Sequence, residues 1–591
     1  MLMHVRRCTA ALAALCLGVF AASAAAAPPQ GYQSNAAFAA SYAKKHVTST
    51  LATTQRVSCY APEVPYFASL PASQGFPDGG ATACPGATTG EDTGPFATQD
   101  VSSPALLVKD HSESDIHVDP TNPKHLIGIS KWFVNAEGYN HLVGFYESFD
   151  GGKTWPDQGH IPGYEGWTDN SDPVGAFDPW GNFYAVVLPY LFDYDANGNH
   201  RVGNPAVNPF LPRFAVGIAV RPHGATTANA WLTTVQGKPD DVAAAPFDGE
   251  PTFDKQWIAI DDNRASKHFG RIYVMWAVAD AKPDGRLKIV VSYADAHPDG
   301  THTPWSTPKF LPGLAEGLEE NNALPHIAPN GTVWASVSGV HEGVEAAEDS
   351  PEAETFEARV SVLSSTNGGV TWTRRLAIPR QEVPAYHNTS FRGAFGIAFA
   401  VGQRRVRGAY PLYIAYEQDV KKGAEVLLAS SFNGGRTWRK PIRVDDSRGP
   451  GEALQPNIVA APGGTVAVAF YDRRLACPAQ GTAAAKAAGL QFDPAAPYRR
   501  VDWCINTAVQ LYRAGLQPIG HNIRLSPNTW DPQLSSAHFL CICQPGGFIG
   551  DYFGVDARGG IVYTSSVTTY DEGSQNPFFH QQQAVAKLRI P

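Results

Sequence analysis

The sequence predicts an all-β fold, a β-propeller of seven four-stranded blades, with six blades as the alternative. Three observations predict it. A strand–turn–strand unit recurs seven times along the chain. A short turn sequence recurs three times in the same place within that unit. Gly/Pro/Asn/Asp punctuation separates short runs with strand character throughout.

The seven units begin at Ile116-His-Val, Val174-Gly-Ala, Trp257-Ile-Ala, His326-Ile-Ala, Phe395-Gly-Ile, Asn457-Ile-Val and Tyr552-Phe-Gly. Each is a strand crowded with small residues, a tight turn, and a second strand rich in aromatic or branched residues. Small residues suit a strand beside a crowded central axis. One or two further strand-like runs follow each unit, such as 359–363 and 425–429, which gives four strands per blade. The turn sequences are Ser148-Phe-Asp-Gly-Gly-Lys-Thr-Trp155, Ser365-Thr-Asn-Gly-Gly-Val-Thr-Trp372 and Ser431-Phe-Asn-Gly-Gly-Arg-Thr-Trp438, with a degenerate copy over 292–305. Each matches the Asp-box. Asp or Asn accepts backbone N–H groups across the turn, and Gly supplies positive φ.

Composition bounds the rest. The chain has 591 residues, 43% hydrophobic and 17% charged, with a formal charge of −9. That balance argues against nucleic acid and anionic membrane as partners. Residues 1–27 read as a signal peptide, with Arg6 and Arg7 before an apolar run and small residues at 23–27. The mature protein is therefore expected to be secreted, in the periplasm or beyond. No later run is long enough to span a bilayer. Six of the eight Cys lie after the leader, an even set suited to disulfides. Local pairs Cys59–Cys84 and Cys477–Cys504 are expected. Residues 28–103 read as a Pro/Gly-rich extension holding the first pair, and 104–591 as the propeller. Residues 104–109 are expected to supply the outer strand that closes the last blade.

Blade topology assigns the two faces. With strands A to D from the axis outward, the A–B and C–D turns share one face. The B–C and D–A loops share the other, and these are the long ones: 131–141, 190–213, 338–359, 471–503 and 568–583. Binding and catalytic groups concentrate on loops held by a rigid scaffold. The residues entering the channel from this face include Asp115 and His117, Asp172, Glu250, Asp254 and Lys255, His326, Arg392, Asn457, Asp551 and Tyr552. The ends of B strands add Trp132, Glu417, Arg473 and Arg474. Carboxylates serve acid–base work, Arg clamps an anionic substituent, and aromatics stack on a sugar ring. No cofactor is required by this set. A structural Ca²⁺ is a candidate at Asp193, Asp195 and Asn197, which match the first half of a Ca²⁺ loop, although Asn204 stands where its distal Glu belongs. Asn197-Gly198 is equally a hairpin turn.

The Asp-boxes make the chain resemble the sialidase-like (BNR repeat) propeller superfamily over about residues 104–591. The resemblance implies a glycoside hydrolase with an Arg triad on the substrate carboxylate, a Tyr nucleophile helped by Glu, and an Asp acid. Carried over by position, it points to Arg392 and Arg473, to Tyr552 with Asp551 beside it, and to Glu250 or Glu417 as the group polarising the Tyr. Asp115, Asp172 or Asp254 would be the acid. Trp132, Lys255, His326, Asn457 and Arg474 would line the substrate. The Arg-Ile-Pro motif of the first blade is absent there and lies instead at 589–591, which puts sialic acid itself in doubt. Three functions stay open: a hydrolase on an anionic or terminal sugar, a polysaccharide lyase, and a non-catalytic glycan- or protein-binding propeller. Carbohydrate or a glycoconjugate is the expected partner, and a monomer the expected assembly.

Overall fold

The computed structural model describes residues 32–53 and 110–591, apart from 134–140, 165–166, 168, 191–192, 195–199, 202–211, 246–250, 280–285, 314–317, 342–355, 389–390, 392–395, 421–422, 448, 480, 489–501, 533–536, 539–546 and 570–580. The described residues form seven four-stranded antiparallel sheets, with three two-stranded ones beside them. Their inner strands are Asp110–Val118, Asp169–Phe177, Thr252–Ile260, Leu318–Ile327, Ile397–Val401, Ala453–Ala460 and Gly554–Arg558. Each expected unit supplies the A and B strands of one blade, and neighbouring inner strands pack side by side around an axis.

Closure departs from expectation. The fourth strand of blade 7 is Val47–Leu51, paired antiparallel with Leu588 through Ala584. Residues 104–109 lie outside the described residues. Thr50 also reaches the next blade: its hydroxyl accepts from Trp155 Nε1 at 3.1 Å and donates to the Gly152 carbonyl at 3.2 Å. Val47–Leu51, upstream of 104, is thus built into the propeller.

The three repeated turns join C and D strands, and their chemistry explains the sequence. In blade 1, Ser148 Oγ accepts from Gly152 N at 2.8 Å, and Asp150 Oδ1 accepts from Thr154 N at 3.0 Å. Gly151 and Gly152 have φ of 76° and 72°, a conformation that a side chain would strain. Asn serves equally in blades 4 and 5. There the amide oxygen takes the same backbone N–H, while its NH₂ donates to Thr371 or Thr437 at 2.9 and 2.7 Å. Asp299, on the degenerate copy in blade 3, holds Thr301 in a similar way.

A second repeat is invisible in the sequence. In five inner strands the pairing skips two residues at one place: between Ser112 and Asp115, Ser171 and Val174, Asp254 and Trp257, Asn321 and Leu324, and Leu454 and Asn457. The first skipped residue is left-handed each time: Glu113, Asp172, Lys255, Asn322 and Gln455, with φ of 44–52°. None is Gly, so each carries about 1 kcal/mol or more of backbone strain. A bulge of this kind re-aims a side chain. Here it brings Glu113, Asp172 and Lys255 from three blades together.

The core is divided among inter-blade clusters, with Trp276, Trp530 and Tyr471 among the fully buried side chains. The expected Cys477–Cys504 disulfide is present, with a Cα–Cα distance of 5.2 Å. Cys59, Cys84, Cys541 and Cys543 lie outside the described residues. No helix among the described residues is long and apolar enough to cross a membrane.

A buried ion network joins blades 1 and 2. His125 contacts Asp119 at 2.8 Å and Glu147 at 2.7 Å, and Arg221 pairs with Glu147 at 2.7 Å. Burial opposes the charge on His125, but the bonds to Asp119 and Glu147 outweigh it and raise the imidazole to about 9. A raised His stabilises the fold fully below its unfolded value near 6.5, and that stability is lost as pH rises through about 9. We expect about 2–4 kcal/mol of wild-type stability to disappear between pH 6.5 and 9.5 and a flatter profile for His125→Gln, measured by urea denaturation. Thr50→Val should lower stability by about 1–2 kcal/mol. It should also speed amide exchange in the outer strand of blade 7 and in the 148–155 turn together. Faster exchange in one alone would break the proposed coupling of blades 7 and 1.

Candidate functional site on the loop face of the channel

Three of the bulged side chains, Glu113, Asp172 and Lys255, meet in a charged ring. Lys255 Nζ lies 2.9 Å from Asp172, 2.5 Å from Asp551 and 4.0 Å from Glu113. Lys131, at the end of the B strand of blade 1, lies 3.5 Å from Glu113. Asp254 accepts from Asn321 Nδ2 at 2.9 Å. Blades 1, 2, 3, 4 and 7 therefore all contribute. Below the ring Trp257 and Tyr552 stack edge to face at 5.1 Å. The cavity there, lined also by Leu324, Ile397, Gln455 and Asn457, is about 40 Å³. That is room for water and not for a sugar ring.

Environment pushes the carboxyls of the ring apart. Burial and the neighbouring Asp172 raise Glu113 to about 7, against the pull of Lys131 and Lys255. Burial also acts on Asp172, but Lys255 and Lys131 outweigh it and hold Asp172 below its ordinary value. Burial leaves Asp254 raised in spite of Lys255. Two carboxyls with opposite shifts are the pattern of an acid and its partner base. Tyr190, at the end of the B strand of blade 2, and Tyr552 are both raised well above 10 by burial and the nearby acids.

A second cluster adjoins the ring on blades 5 and 6. Tyr386 donates its hydroxyl to Glu417, whose oxygens lie 2.9 and 2.8 Å away. Glu417 is fully buried, and burial raises it to about 8 in spite of bonds from Gln455 N and Tyr386. Gly396 makes the room: a Cβ there would stand 2.3 Å from the Glu417 carboxyl carbon, and its φ is 49°. Gln455 links the clusters, since its side-chain amide donates to the Gly550 carbonyl at 2.7 Å, beside Asp551. Next to Tyr386, the exposed ring of His387 bonds Glu452 through Nδ1 at 2.7 Å. Arg473 pairs with the other oxygen of Glu452 at 2.6 Å.

The residues singled out in the sequence divide clearly. Asp172, Asp254, Lys255, Asp551 and Tyr552 are brought together. Tyr552 donates to the Pro173 carbonyl at 3.1 Å, and Glu417 holds Tyr386 in its place. Asp115 and His117 pair with each other at 2.7 Å, and Asp115 also accepts from Gly175 N of blade 2 at 2.9 Å. His326 lies farther along its strand, with burial and His117 lowering it to about 4. Asn457 donates to the Phe553 carbonyl at 2.5 Å and ties blade 6 to blade 7. Arg473 is fully buried, and its Nη atoms also donate to the His387, Asn388 and Asp502 carbonyls. Arg474 is locked by Asp446 at 2.5 Å, Asp472 at 2.6 Å and Asn522 at 2.6 Å. Trp132 is a correction: it is fully buried under Gly144, with Nε1 on Ser130 Oγ at 3.0 Å, and offers no face to a sugar. Its strand position points it into the blade and not to the rim.

Glu250, Arg392, Asp195 and Asn197 lie outside the described residues. Asp193–Tyr194 pairs with His200–Arg201 as a short hairpin. Among the described residues no group of three His, Cys, Asp or Glu could hold a metal ion. The reading of the sequence missed Glu113, Lys131, Tyr190 and Tyr386. None of the four had a signal in the repeated units of the sequence.

No family model and no curated protein matches the chain. Among solved structures it is similar to a protein of unknown function from Dyadobacter fermentans, at 14% identity over 62% of this chain and 91% of that one, with a TM-score of 0.38. It is also similar to the leech intramolecular trans-sialidase, at 11% identity over 62% of this chain and 65% of that one, with a TM-score of 0.36. An α-L-arabinofuranosidase from Fusarium graminearum is similar at 11% identity over 61% of this chain and 88% of that one, with a TM-score of 0.37. These likenesses carry no argument about activity.

The ring makes its own stability prediction. A carboxyl raised in the fold destabilises it once pH passes the unfolded value, and Glu113 adds that penalty from about 4.5 up to about 7. Glu113→Gln should therefore gain on wild type at pH 8 and match it at pH 4. Lys255→Met should lose about 3–5 kcal/mol at neutral pH, because it strands buried carboxylates. Equal loss for the two variants in a denaturation series would contradict this charge arrangement.

Proposed function

We propose that the protein is a secreted, carbohydrate-active glycoside hydrolase that removes a terminal sugar at the loop-face end of its channel. The observation that carries the reading is Tyr386 held against the buried carboxyl of Glu417, beside an acidic ring on the axis. A phenol is a weak nucleophile until a base takes its proton, and Glu417 stands within hydrogen-bond reach. Its raised value suits it to exchange a proton near neutral pH. On this reading Tyr386 Oη attacks the anomeric carbon as Glu417 takes the phenolic proton. Water then releases the sugar with retained configuration. Glu113, raised to about 7, is the proposed proton donor to the leaving oxygen, and Asp172 stays ionised to favour positive charge on the sugar. No step calls for a metal or an organic cofactor.

The test is a panel of glycans and aryl glycosides offered to the purified chain, read for reducing ends and for the absorbance of an unsaturated product. Reducing ends alone are expected. Tyr386→Phe and Glu417→Gln should each lower kcat by about 100-fold or more with KM little changed. Unsaturated product would replace the hydrolase by a lyase. Glycan binding without turnover, unaffected by either substitution, would replace it by a binding propeller.

A further inference from the structure

The face opposite the funnel carries the A–B and C–D turns, and it is electrically divided. In blades 1, 2 and 3 these turns hold Asp119, Asp150, Asp178, Asp262 and Asp299. In blades 5 and 6 they hold no acid: neither Asp nor Glu occurs at 398–416, 426–444, 453–471 or 503–530. Arg404, Arg405 and Arg407 stand instead on the A–B turn of blade 5, Arg436 and Arg439 on its C–D turn, and Arg513 at the C–D turn of blade 6. All six are exposed. The whole chain has a formal charge of −9, so this excess is local and runs against the balance of the protein.

The fold makes the six one surface. The two turns of blade 5 flank the paired row Val401, Leu412 and Ser431. Tyr413, next to that row, donates its hydroxyl to the Ala514 carbonyl at 2.5 Å, which seats the Arg513 turn against blade 5. Arg404 Nε reaches the Pro462 carbonyl of blade 6 at 3.5 Å. Arg405 Nη1 donates to the Gly408 carbonyl at 3.0 Å. None of the six meets a carboxylate among the described residues. A guanidinium has five N–H donors, so most of theirs remain open to an external acceptor. Tyr410 and Phe432 pack on the core with Arg405 and Arg439 over them at 4.9 and 5.6 Å. Neither ring therefore offers a face on which a nucleic-acid base could stack.

We propose that this patch binds a linear acidic polysaccharide through its uronate carboxylates, on the face away from the axial site. The planar guanidinium fork matches a carboxylate with two parallel bonds, and all six cations are Arg. A bilayer or a duplex is broad and would also meet the acidic turns of blades 1–3, whereas a single extended chain lies within blades 5 and 6. Binding there needs nothing from the chemistry of the funnel.

Fluorescence anisotropy of labelled polygalacturonate oligomers titrated with the full chain tests the proposal, with labelled neutral dextran as the control. Saturable binding of polygalacturonate alone is expected. With about four carboxylates neutralised, its affinity should fall about 50-fold between about 50 and about 200 mM salt. Arg405→Glu combined with Arg436→Glu should weaken it at least about tenfold, with the melting transition near that of wild type. Lys124→Glu combined with Lys153→Glu makes the same change of net charge on exposed turns of blade 1. That pair should leave binding within about twofold. No saturable binding, equal loss for the two double variants, or tighter binding of a single-stranded oligonucleotide or of phosphatidylglycerol vesicles at equal charge concentration would each overturn the site.

Discussion

Everything on the loop face depends on the pairing of Val47–Leu51 with the last strand of the chain. A propeller is a circle of sheets, and here it closes because strands far apart in the chain share one blade. Without the fifth-decade strand, blade 7 would offer an open edge to solvent and to other chains. The ladder removes that edge. The bond from Trp155 to Thr50 then clamps the repaired blade against blade 1. Only in a closed circle do Asp551 of blade 7 and Lys255 of blade 3 meet at 2.5 Å.

Closure concentrates charge at the funnel. Lys131, Lys255, Arg473 and Arg474 are each committed to a carboxylate within 3.5 Å or less. Glu417, Asp254 and Asp502 stand nearby in addition. Among the described residues the rim is thus acidic in balance, and no guanidinium is aimed at an incoming anion. The bulges are the physical origin of this density. Five left-handed residues, strained individually, are held because the neighbouring blades leave each no alternative direction.

Much of the fold was legible in local pattern. The seven strand–turn–strand units can be read because a strand alternates its faces and a tight turn demands Gly, Asn or Asp. The Cys477–Cys504 pair was legible because it closes a short local loop. The site was legible only in part. Asp172, Asp254, Lys255 and Asp551 were found by their place before an inner strand, a rule of topology. Tyr386 was not found, because it comes from a D–A loop and meets Glu417 from a B strand 31 positions later. Trp132 was misplaced because a strand end does not say whether its last aromatic points to the rim or into the sheet.

By itself the sequence determined the repeat, the turn chemistry, the propeller class and the face on which polar groups gather, because each is written in short-range spacing. Tertiary structure alone decided which strand closes the circle, which carboxyl meets which cation, and which tyrosine stands on a glutamate. Those are contacts between residues tens to hundreds of positions apart, such as Thr50 with Trp155 or Lys255 with Asp551. Burial at such contacts, rather than residue type, then sets the proton affinities of Glu113 and Glu417, since removing water penalises the charge.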